Sequence, residues 1–381
     1  MQRYLKTMLL CVTFGIASMG MAADETTLKQ KIGQMILLGF KGTSLDTATE
    51  VVHYIDEQQV GGVIIFAPNI QDPAQLKQLT HDLQAKYAEK NVLPLLVGID
   101  YEGGKIVRLL SSKGFPATVS AEEIAKKSDP EIEQYASQMA HTLKEAGINL
   151  NFAPVVDVNV KPDNPIIGGL ERSFSANPDT VAHDAALFSN AYFTNNILCT
   201  YKHFPGHGSS TSDSHLGFVD ITNSWSDSEL EPYKQLFAIP NGCELVMTGH
   251  LVNRQLDPDN YPASLSYKMT TDILRGASDP ANPRALGFKG VVVTDCMQMG
   301  AISKEYSLDR AVVLAVNAGA DLLIFANQLM QPPPNDTIPY DQNPEEITNI
   351  IYNAVMKGDI SESRINESYD RIMKLKAKLT A

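Results

Sequence analysis

The sequence predicts a single-domain α/β fold of the (β/α)8 type, a TIM barrel, on two observations. Eight short apolar runs lack the polar alternation of a half-exposed strand, so they indicate the buried strands of a parallel sheet. Longer amphipathic stretches separate the runs, and this repeated alternation is typical of the barrel. An open doubly wound sheet alternates in the same way and is the structural alternative. The runs are Ile32–Phe40, Val60–Ala67, Leu93–Asp100, Ile148–Val158, Ile197–Phe204, Glu244–His250, Gly290–Asp295 and Ala320–Ala326.

Local signals support the helices between these strands. One helix is predicted to begin at Asp72-Pro73, because Asp is a favoured N-cap and Pro suits the first helical position. A second spans about Pro130–Ala146 and ends at Gly147, which favours the C-terminal cap. A third is predicted over Leu308–Asn317. Each of these stretches lies between two apolar runs, as a barrel requires.

The segment after the last apolar run predicts extra helices rather than a second domain. Ala326 is followed by 55 residues, which is short for an independent domain. Apolar spacing within them predicts helices over Pro344–Lys357 and Ser361–Leu379. We therefore expect one catalytic domain over residues 24–381, with additional C-terminal helices.

The first residues have the pattern of a secretory signal peptide. Arg3 and Lys6 supply positive charge, an apolar stretch runs over Met8–Gly20, and small residues follow up to Ala23. A retained N-terminal anchor is the alternative interpretation. We expect residues 1–23 to be removed and the protein to be exported, to the periplasm or beyond. No later run approaches the ~20 apolar residues of a membrane span.

The composition limits the partners and the type of scaffold. The chain carries 31 Lys and Arg against 44 Asp and Glu, a net charge of −13, so we expect no nucleic-acid partner. We also expect a monomer. Cys199, Cys243 and Cys296 each lie in an apolar segment, which favours buried thiols over a disulfide framework. The sequence contains no Cys/His spacing typical of zinc, so no metal is expected.

Polar residues collect at the C-terminal ends of the apolar runs, where barrel enzymes build their active sites. Five of the eight runs end in this way, which indicates a functional site at this face of the barrel. These residues are Asp100, Asp157, Lys202-His203, His250 and Asp295.

Two features near this face suggest proton transfer and nucleophilic attack. Asp213 and His215 lie two residues apart in a Gly- and Ser-rich loop, where the carboxylate can orient the imidazole as an acid or base. An ordinary surface loop is the alternative. Asp295 ends the seventh run, and from its position alone it is either a nucleophile or the cap of the next helix.

Six ordered motifs closely resemble glycoside hydrolase family 3, and within it the single-domain bacterial β-N-acetylglucosaminidases. The resemblance covers essentially the whole chain after residue 23. The motifs are Leu95–Arg108, Gly147–Asn159, Glu171–Phe174, Lys202–His215, Val246–His250 and Gly287–Ile302.

This resemblance implies a retaining glycosidase with an unusual acid/base group. It places the nucleophile at Asp295, which would form a covalent glycosyl-enzyme, and the general acid/base at His215, oriented by Asp213. The sugar would be held by Asp100, Arg108, Arg172, Lys202 and His203.

The resemblance also implies the substrate class. Terminal β-linked N-acetylglucosamine is expected, in peptidoglycan or chitin fragments, because the Asp213-Ser214-His215 motif is similar to that of N-acetylglucosaminidases rather than glucosidases. A β-glucosidase of the same family is the alternative. A phosphorylase with phosphate as the acceptor is another, and the sequence does not separate it from a hydrolase. No cofactor is implied.

Two remote interpretations come from different classes of protein. A metal-dependent barrel hydrolase would use His203, His207, His215, His250 and Asp295. Barrel metal sites often take His-x-His from the first strand, and Ile32–Phe40 contains no His. A non-catalytic sugar-binding protein would need a broken nucleophile or acid, whereas Asp295, Asp213 and His215 are all present.

Overall fold

Eight parallel strands close into a barrel in the computed structural model of the chain, which describes residues 28–90, 93–277, 280–327, 338 and 341–380. Each strand pairs with its neighbours in the chain, and the last pairs with the first. The predicted barrel is therefore confirmed, and the open sheet is excluded. The strands are β1 (Ile36–Gly39), β2 (Gly62–Ile65), β3 (Leu96–Ile99), β4 (Leu150–Asn151), β5 (Leu198–Phe204), β6 (Leu245–Thr248), β7 (Val291–Cys296) and β8 (Leu322–Phe325).

The strands are shorter than the apolar runs that predicted them, most clearly in β4. Regular pairing there covers two residues, Leu150–Asn151. Pro154 follows closely and has no N–H to donate to a neighbouring strand. The chain stays extended beyond it, and the Val156 N–H donates to the carbonyl of Lys202 at 2.8 Å. The predicted run Ile148–Val158 is thus one extended segment of the barrel wall. Its backbone hydrogen bonds to the neighbouring strands are interrupted.

Helices surround the barrel, and a short hairpin of Tyr101–Gly103 with Ile106–Val107 extends β3 at its C-terminal end. The predicted cap is present, since the Asp72 carboxylate accepts the Gln75 N–H at 2.9 Å. Both predicted C-terminal helices are present too. The helices are Thr49–Asp56, Pro73–Ala88, Ala121–Ile124, Asp129–Glu145, Pro178–Thr194, Glu231–Leu236, Gly300–Ser303, Leu308–Ala318, Pro344–Lys357 and Glu362–Ala377. In the described part of the chain, no helix has the length and apolar character to cross a bilayer.

The expectation of three buried thiols is wrong for two of them. Cys199 in β5 and Cys243, just before β6, form a disulfide with Cα atoms 4.8 Å apart. Parallel pairing of β5 with β6 brings these two positions together, although 44 residues separate them in the sequence. Cys296 remains a free thiol, and burial raises its pKa to about 12. That thiol is therefore protonated and unreactive at neutral pH.

The N-terminal face of the barrel is sealed by a buried cluster around Asp321. Its carboxylate is fully buried and pairs with Arg364 at 2.6 Å, Arg371 at 2.9 Å and also Arg275. Burial favours the neutral acid, but the three guanidinium groups outweigh it and lower the pKa of Asp321. Two of the arginines come from the helix Glu362–Ala377, so the cluster fastens this helix beneath β8.

The same helix places Lys376 in the interior without a carboxylate among its hydrogen-bond partners. Its Nζ donates to Gln34 Oε1 at 2.7 Å and to the Tyr87 hydroxyl at 3.2 Å. Burial lowers the pKa of Lys376 to about 7. Gln34 and Tyr87 also bond to each other, with Gln34 Nε2 donating to the hydroxyl at 2.8 Å. Both therefore keep a partner if the lysine is replaced.

We predict that Lys376→Met stabilises the protein, most strongly at acidic pH. The folded-state pKa lies below the unfolded value of about 10.4, so the penalty on folding builds up as the pH falls from about 10 to about 7 and is fully present below that. Methionine removes that penalty, and we expect a gain on the order of 2 kcal/mol at pH 6 that shrinks towards pH 9. Urea unfolding at both pH values measures it. The exposed Lys374→Met is the control, and an equal effect of both substitutions would contradict the prediction.

Candidate active site

A chain of buried ion pairs lies at the C-terminal mouth of the barrel and contains four of the predicted residues. Lys202 Nζ lies 3.0 Å from Asp100 Oδ1 and 2.7 Å from Glu102 Oε1. Arg172 donates two hydrogen bonds to the Glu102 carboxylate, from Nε at 2.7 Å and from a terminal nitrogen at 2.8 Å. Arg108 donates to the other Asp100 oxygen at 3.2 Å. Positive and negative groups thus alternate, so each charge is balanced by its neighbours.

Glu102 belongs to this chain and sequence reasoning missed it. A signal was present, because Asp100 and Glu102 are two residues apart and side chains two apart in a strand point to the same side. Tyr101 between them is buried, in keeping with this alternation. Glu102 engages the donors of Arg172, whose guanidinium was predicted to bind sugar hydroxyls or a neighbouring carboxylate. That guanidinium also donates to the Ile166 carbonyl at 2.9 Å, which leaves it little free capacity.

The ion pairs keep Asp100, Glu102, Arg172 and Lys202 charged at neutral pH. Burial alone would raise the pKa of Asp100, but Lys202 and Arg108 outweigh it and lower that pKa well below its usual range. Burial likewise opposes the charge of Lys202, and the carboxylates of Glu102 and Asp100 raise its pKa. The side chain of Asp100 is 22% exposed, against 3% for Lys202. Asp100 and its partner Arg108 therefore face the open mouth.

A second buried pair orients His203. The Asp157 carboxylate is fully buried and lies 2.7 Å from His203 Nδ1. Burial would raise the pKa of Asp157, but His203 lowers it to about 2. An ionised carboxylate only accepts hydrogen bonds, so a proton lies on the His203 Nδ1. The other ring nitrogen, Nε2, faces Arg172. That nitrogen lies 3.4 Å from a terminal nitrogen of Arg172. Asp157 therefore fixes the orientation of the His203 ring.

Asp295 stands at the C-terminal end of β7, and its Oδ1 accepts the Cys296 N–H at 2.8 Å. Burial would raise its pKa, but the nearby imidazoles, His250 foremost, outweigh burial and lower it. Asp295 is therefore a carboxylate at neutral pH, as a nucleophile must be. The next helix begins at Gly300 with Met299 as its N-cap, so Asp295 does not cap that helix.

Asp213 and His215 form the pair that their spacing suggests. Asp213 Oδ1 lies 2.7 Å from His215 Nδ1 and accepts the His215 backbone N–H at 2.9 Å. Burial lowers the pKa of His215, but the bond to Asp213 and the charge of Asp295 outweigh it and raise that pKa. The His215 side chain is 53% exposed, so the imidazole is open to solvent although its Nδ1 is paired.

The loop that carries this pair, residues 206–215, is docked beside the segment that follows β7. The Gly300 N–H donates to the His215 carbonyl at 3.2 Å, and the Ala301 N–H donates to the Ser214 carbonyl at 3.1 Å. These bonds connect the loop to the segment that follows β7, and so bring His215 within electrostatic range of Asp295. The arrangement thus places a charged carboxylate and an oriented imidazole around one opening. Among the described residues, no group of three or more His, Cys, Asp or Glu side chains is placed to hold a metal ion.

Comparison with known proteins agrees with this geometry. A family model described as the glycosyl hydrolase family 3 N terminal domain matches residues 27–375. The chain is 31% identical to beta-hexosaminidase A of Pseudoalteromonas piscicida, over 93% of this chain and 61% of that protein. It is 32% identical to an uncharacterized secreted glycosyl hydrolase of Arthroderma benhamiae, over 96% of this chain and 98% of that protein.

A solved structure gives the same result. The family 3 β-N-acetylglucosaminidase from a Paenibacillus species has a TM-score of 0.80 and 34% identity, over 92% of this chain and 62% of that one. This chain thus spans about three fifths of that protein and of the Pseudoalteromonas hexosaminidase. The match to the family model nevertheless extends over nearly all of the described residues. The chain therefore belongs to glycosyl hydrolase family 3, as its sequence motifs predict.

Proposed function

We propose that the protein is a retaining exo-β-N-acetylglucosaminidase with Asp295 as nucleophile and His215, oriented by Asp213, as general acid/base. The observation that carries the proposal is the pairing of His215 with Asp213 in a loop docked beside the ionised Asp295. The names of the Pseudoalteromonas and Paenibacillus relatives support the substrate class. We propose fragments of peptidoglycan or chitin as the natural substrates, with water as the acceptor.

The first step forms a bond between an Asp295 oxygen and the anomeric carbon of the sugar. The bond from that carbon to the glycosidic oxygen breaks, and the leaving oxygen takes its electron pair. Protonated His215 gives its Nε2 proton to this oxygen. Asp213 stabilises the imidazolium before the transfer, since it accepts from Nδ1 at 2.7 Å.

The second step regenerates the enzyme. Neutral His215 takes a proton from water as the water oxygen bonds to the anomeric carbon, and the Asp295 carboxylate leaves. Two displacements at the same carbon give net retention of configuration. His215 ends protonated and Asp295 ionised, which restores the starting state.

The sugar in this scheme is held by the polar groups of the mouth. Asp100 offers a carboxylate oxygen and Arg108 a guanidinium towards the opening. Lys202 and His203 lie behind them, held in place by Glu102 and Asp157. Hydroxyl groups of a sugar both donate and accept hydrogen bonds, so a mixture of fixed cations and anions suits them. Arg172 contributes mainly by holding Glu102.

We propose that the protein is exported and that residues 24–381 form its catalytic domain. Residues 1–23, with the pattern of a signal peptide, lie outside the described part of the chain. The secreted relative from Arthroderma supports export. The Cys199–Cys243 disulfide also supports it, because such bonds persist mainly in oxidising compartments.

Replacing the nucleophile tests the assignment directly. We expect Asp295→Ala to lower kcat/KM for an aryl β-N-acetylglucosaminide by about a thousandfold or more, since no covalent intermediate can form. Wild type should prefer this substrate to the matching β-glucoside. Asp272→Ala, at an exposed site, is the control. Turnover that survives Asp295→Ala would refute the nucleophile, glucoside preference would refute the substrate class, and a requirement for phosphate would show a phosphorylase.

The pH profile tests the acid/base group. Asp213 helps to raise the pKa of His215, so the protonated acid persists above its usual pKa of about 6.5. We expect kcat/KM to fall on the alkaline side with a midpoint above 6.5. Asp213→Asn removes the charge, burial then dominates, and the midpoint should move to lower pH. A midpoint that does not move would exclude His215 as the titrating acid.

A further inference from the structure

The first half of the 206–215 loop rests on the buried side chain of Glu229. This residue lies in the helical turn Asp227–Leu230 and is 1% exposed. Its Oε2 accepts the backbone N–H of Gly208 at 3.0 Å and that of Ser209 at 3.3 Å. No step of the proposed reaction uses Glu229. A buried carboxyl group that accepts backbone hydrogen bonds from this loop therefore needs another explanation.

The contact is also steric, because the loop backbone lies directly on Glu229. A Cβ atom at Gly206 would come within 2.5 Å of the Glu229 Cβ. Gly206 also has a φ of +120°, which side chains disfavour. At Gly208 a Cβ atom would come within 1.6 Å of the Val158 carbonyl oxygen. The loop thus has glycine where it passes between Glu229 and the barrel wall.

Neighbouring residues fix the same half of the loop from the barrel side. The Asp157 carboxylate accepts the His207 N–H at 2.8 Å. Asn164 donates to the carbonyls of His207 and Gly208 at 2.7 and 3.0 Å. Three consecutive N–H groups, of residues 207 to 209, are therefore held by two buried carboxyl groups. The Asp213–His215 pair lies just beyond this anchor in the chain.

The hydrogen bonds indicate what chemistry is needed at position 229. Both N–H donors use the same oxygen, and Oε1 has no hydrogen-bond partner among the described residues. Burial raises the pKa of Glu229 to about 8, in keeping with a neutral acid at neutral pH. A neutral carbonyl-type acceptor at this position is sufficient for both bonds. Glutamine provides such an acceptor, whereas methionine has similar length and none.

We propose that Glu229 is a positioning residue that, through the N–H groups of Gly208 and Ser209, sets the position of His215 above the glycosidic oxygen. The proposal rests on the proposed function, because it concerns delivery of the proton by His215. It predicts how kcat/KM of a variant depends on the basicity of the leaving group. Acid assistance matters in proportion to the basicity of the leaving group. A misplaced acid therefore slows substrates with basic leaving groups and spares those with activated ones.

The experiment compares kcat/KM for 2,4-dinitrophenyl and methyl β-N-acetylglucosaminides in Glu229→Met and Glu229→Gln. For Glu229→Met we expect a loss within about threefold on the dinitrophenyl substrate and of about a hundredfold on the methyl glycoside. Glu229→Gln should stay within about threefold of wild type on both. A purely structural role predicts equal losses on both substrates, and that result or the absence of any loss would overturn the proposal.

Two further variants keep the test decisive. If Glu229→Met does not fold by circular dichroism, Glu229→Asp is measured instead, because it withdraws the carboxyl by one methylene. It should show the same dependence on leaving group, and equal losses would again overturn the proposal. His215→Ala is the reference variant. Its kcat/KM should depend most steeply on the basicity of the leaving group. A flat dependence in His215→Ala would refute the proposed function, whereas a flat dependence in the Glu229 variants alone would refute only this inference.

Discussion

The geometry of the mouth depends on one chain of buried charges that runs from Asp100 through Lys202 and Glu102 to Arg172. Charges taken out of water are tolerated only when each has a partner. Here the partners come from the end of β3, from β5 and from the segment before the helix Pro178–Thr194, so pairing them fixes those segments relative to one another. The polar groups are thus arranged before any ligand arrives, and little reorganisation is needed during reaction.

The two ends of the barrel each hold a carboxylate paired with cations, and the two differ in their access to solvent. Asp321 at the N-terminal face is enclosed by arginines and has no exposed surface, which suits a fastening role. Asp100 at the C-terminal face is also paired with cations, yet 22% of its side chain reaches solvent. Exposure, rather than charge or pairing, therefore separates the carboxylate that a ligand can reach from the one that is enclosed.

The features that could be predicted from the sequence are those that depend on residues close together in the chain. Asp295 follows an apolar strand directly, and strand direction in a barrel is fixed, so its location at the mouth was predictable. Glu229 gave no such signal, because its importance comes from a loop that folds back onto it. The Cys199–Cys243 bond was missed for a related reason. Its formation depends on the register between two strands, which apolar composition does not encode.

The helix Glu362–Ala377 has a consequence for the order of events during synthesis. Its Lys376 contacts Gln34, just before β1, and its arginines hold Asp321 beneath β8. A ribosome makes β1 hundreds of residues before it makes these partners. The growing chain therefore carries an unpaired β1 edge until β8 has been made, and such edges attract other strands. Throughout that interval chaperones meet an open sheet, and the barrel closes only once β8 is available to pair with β1.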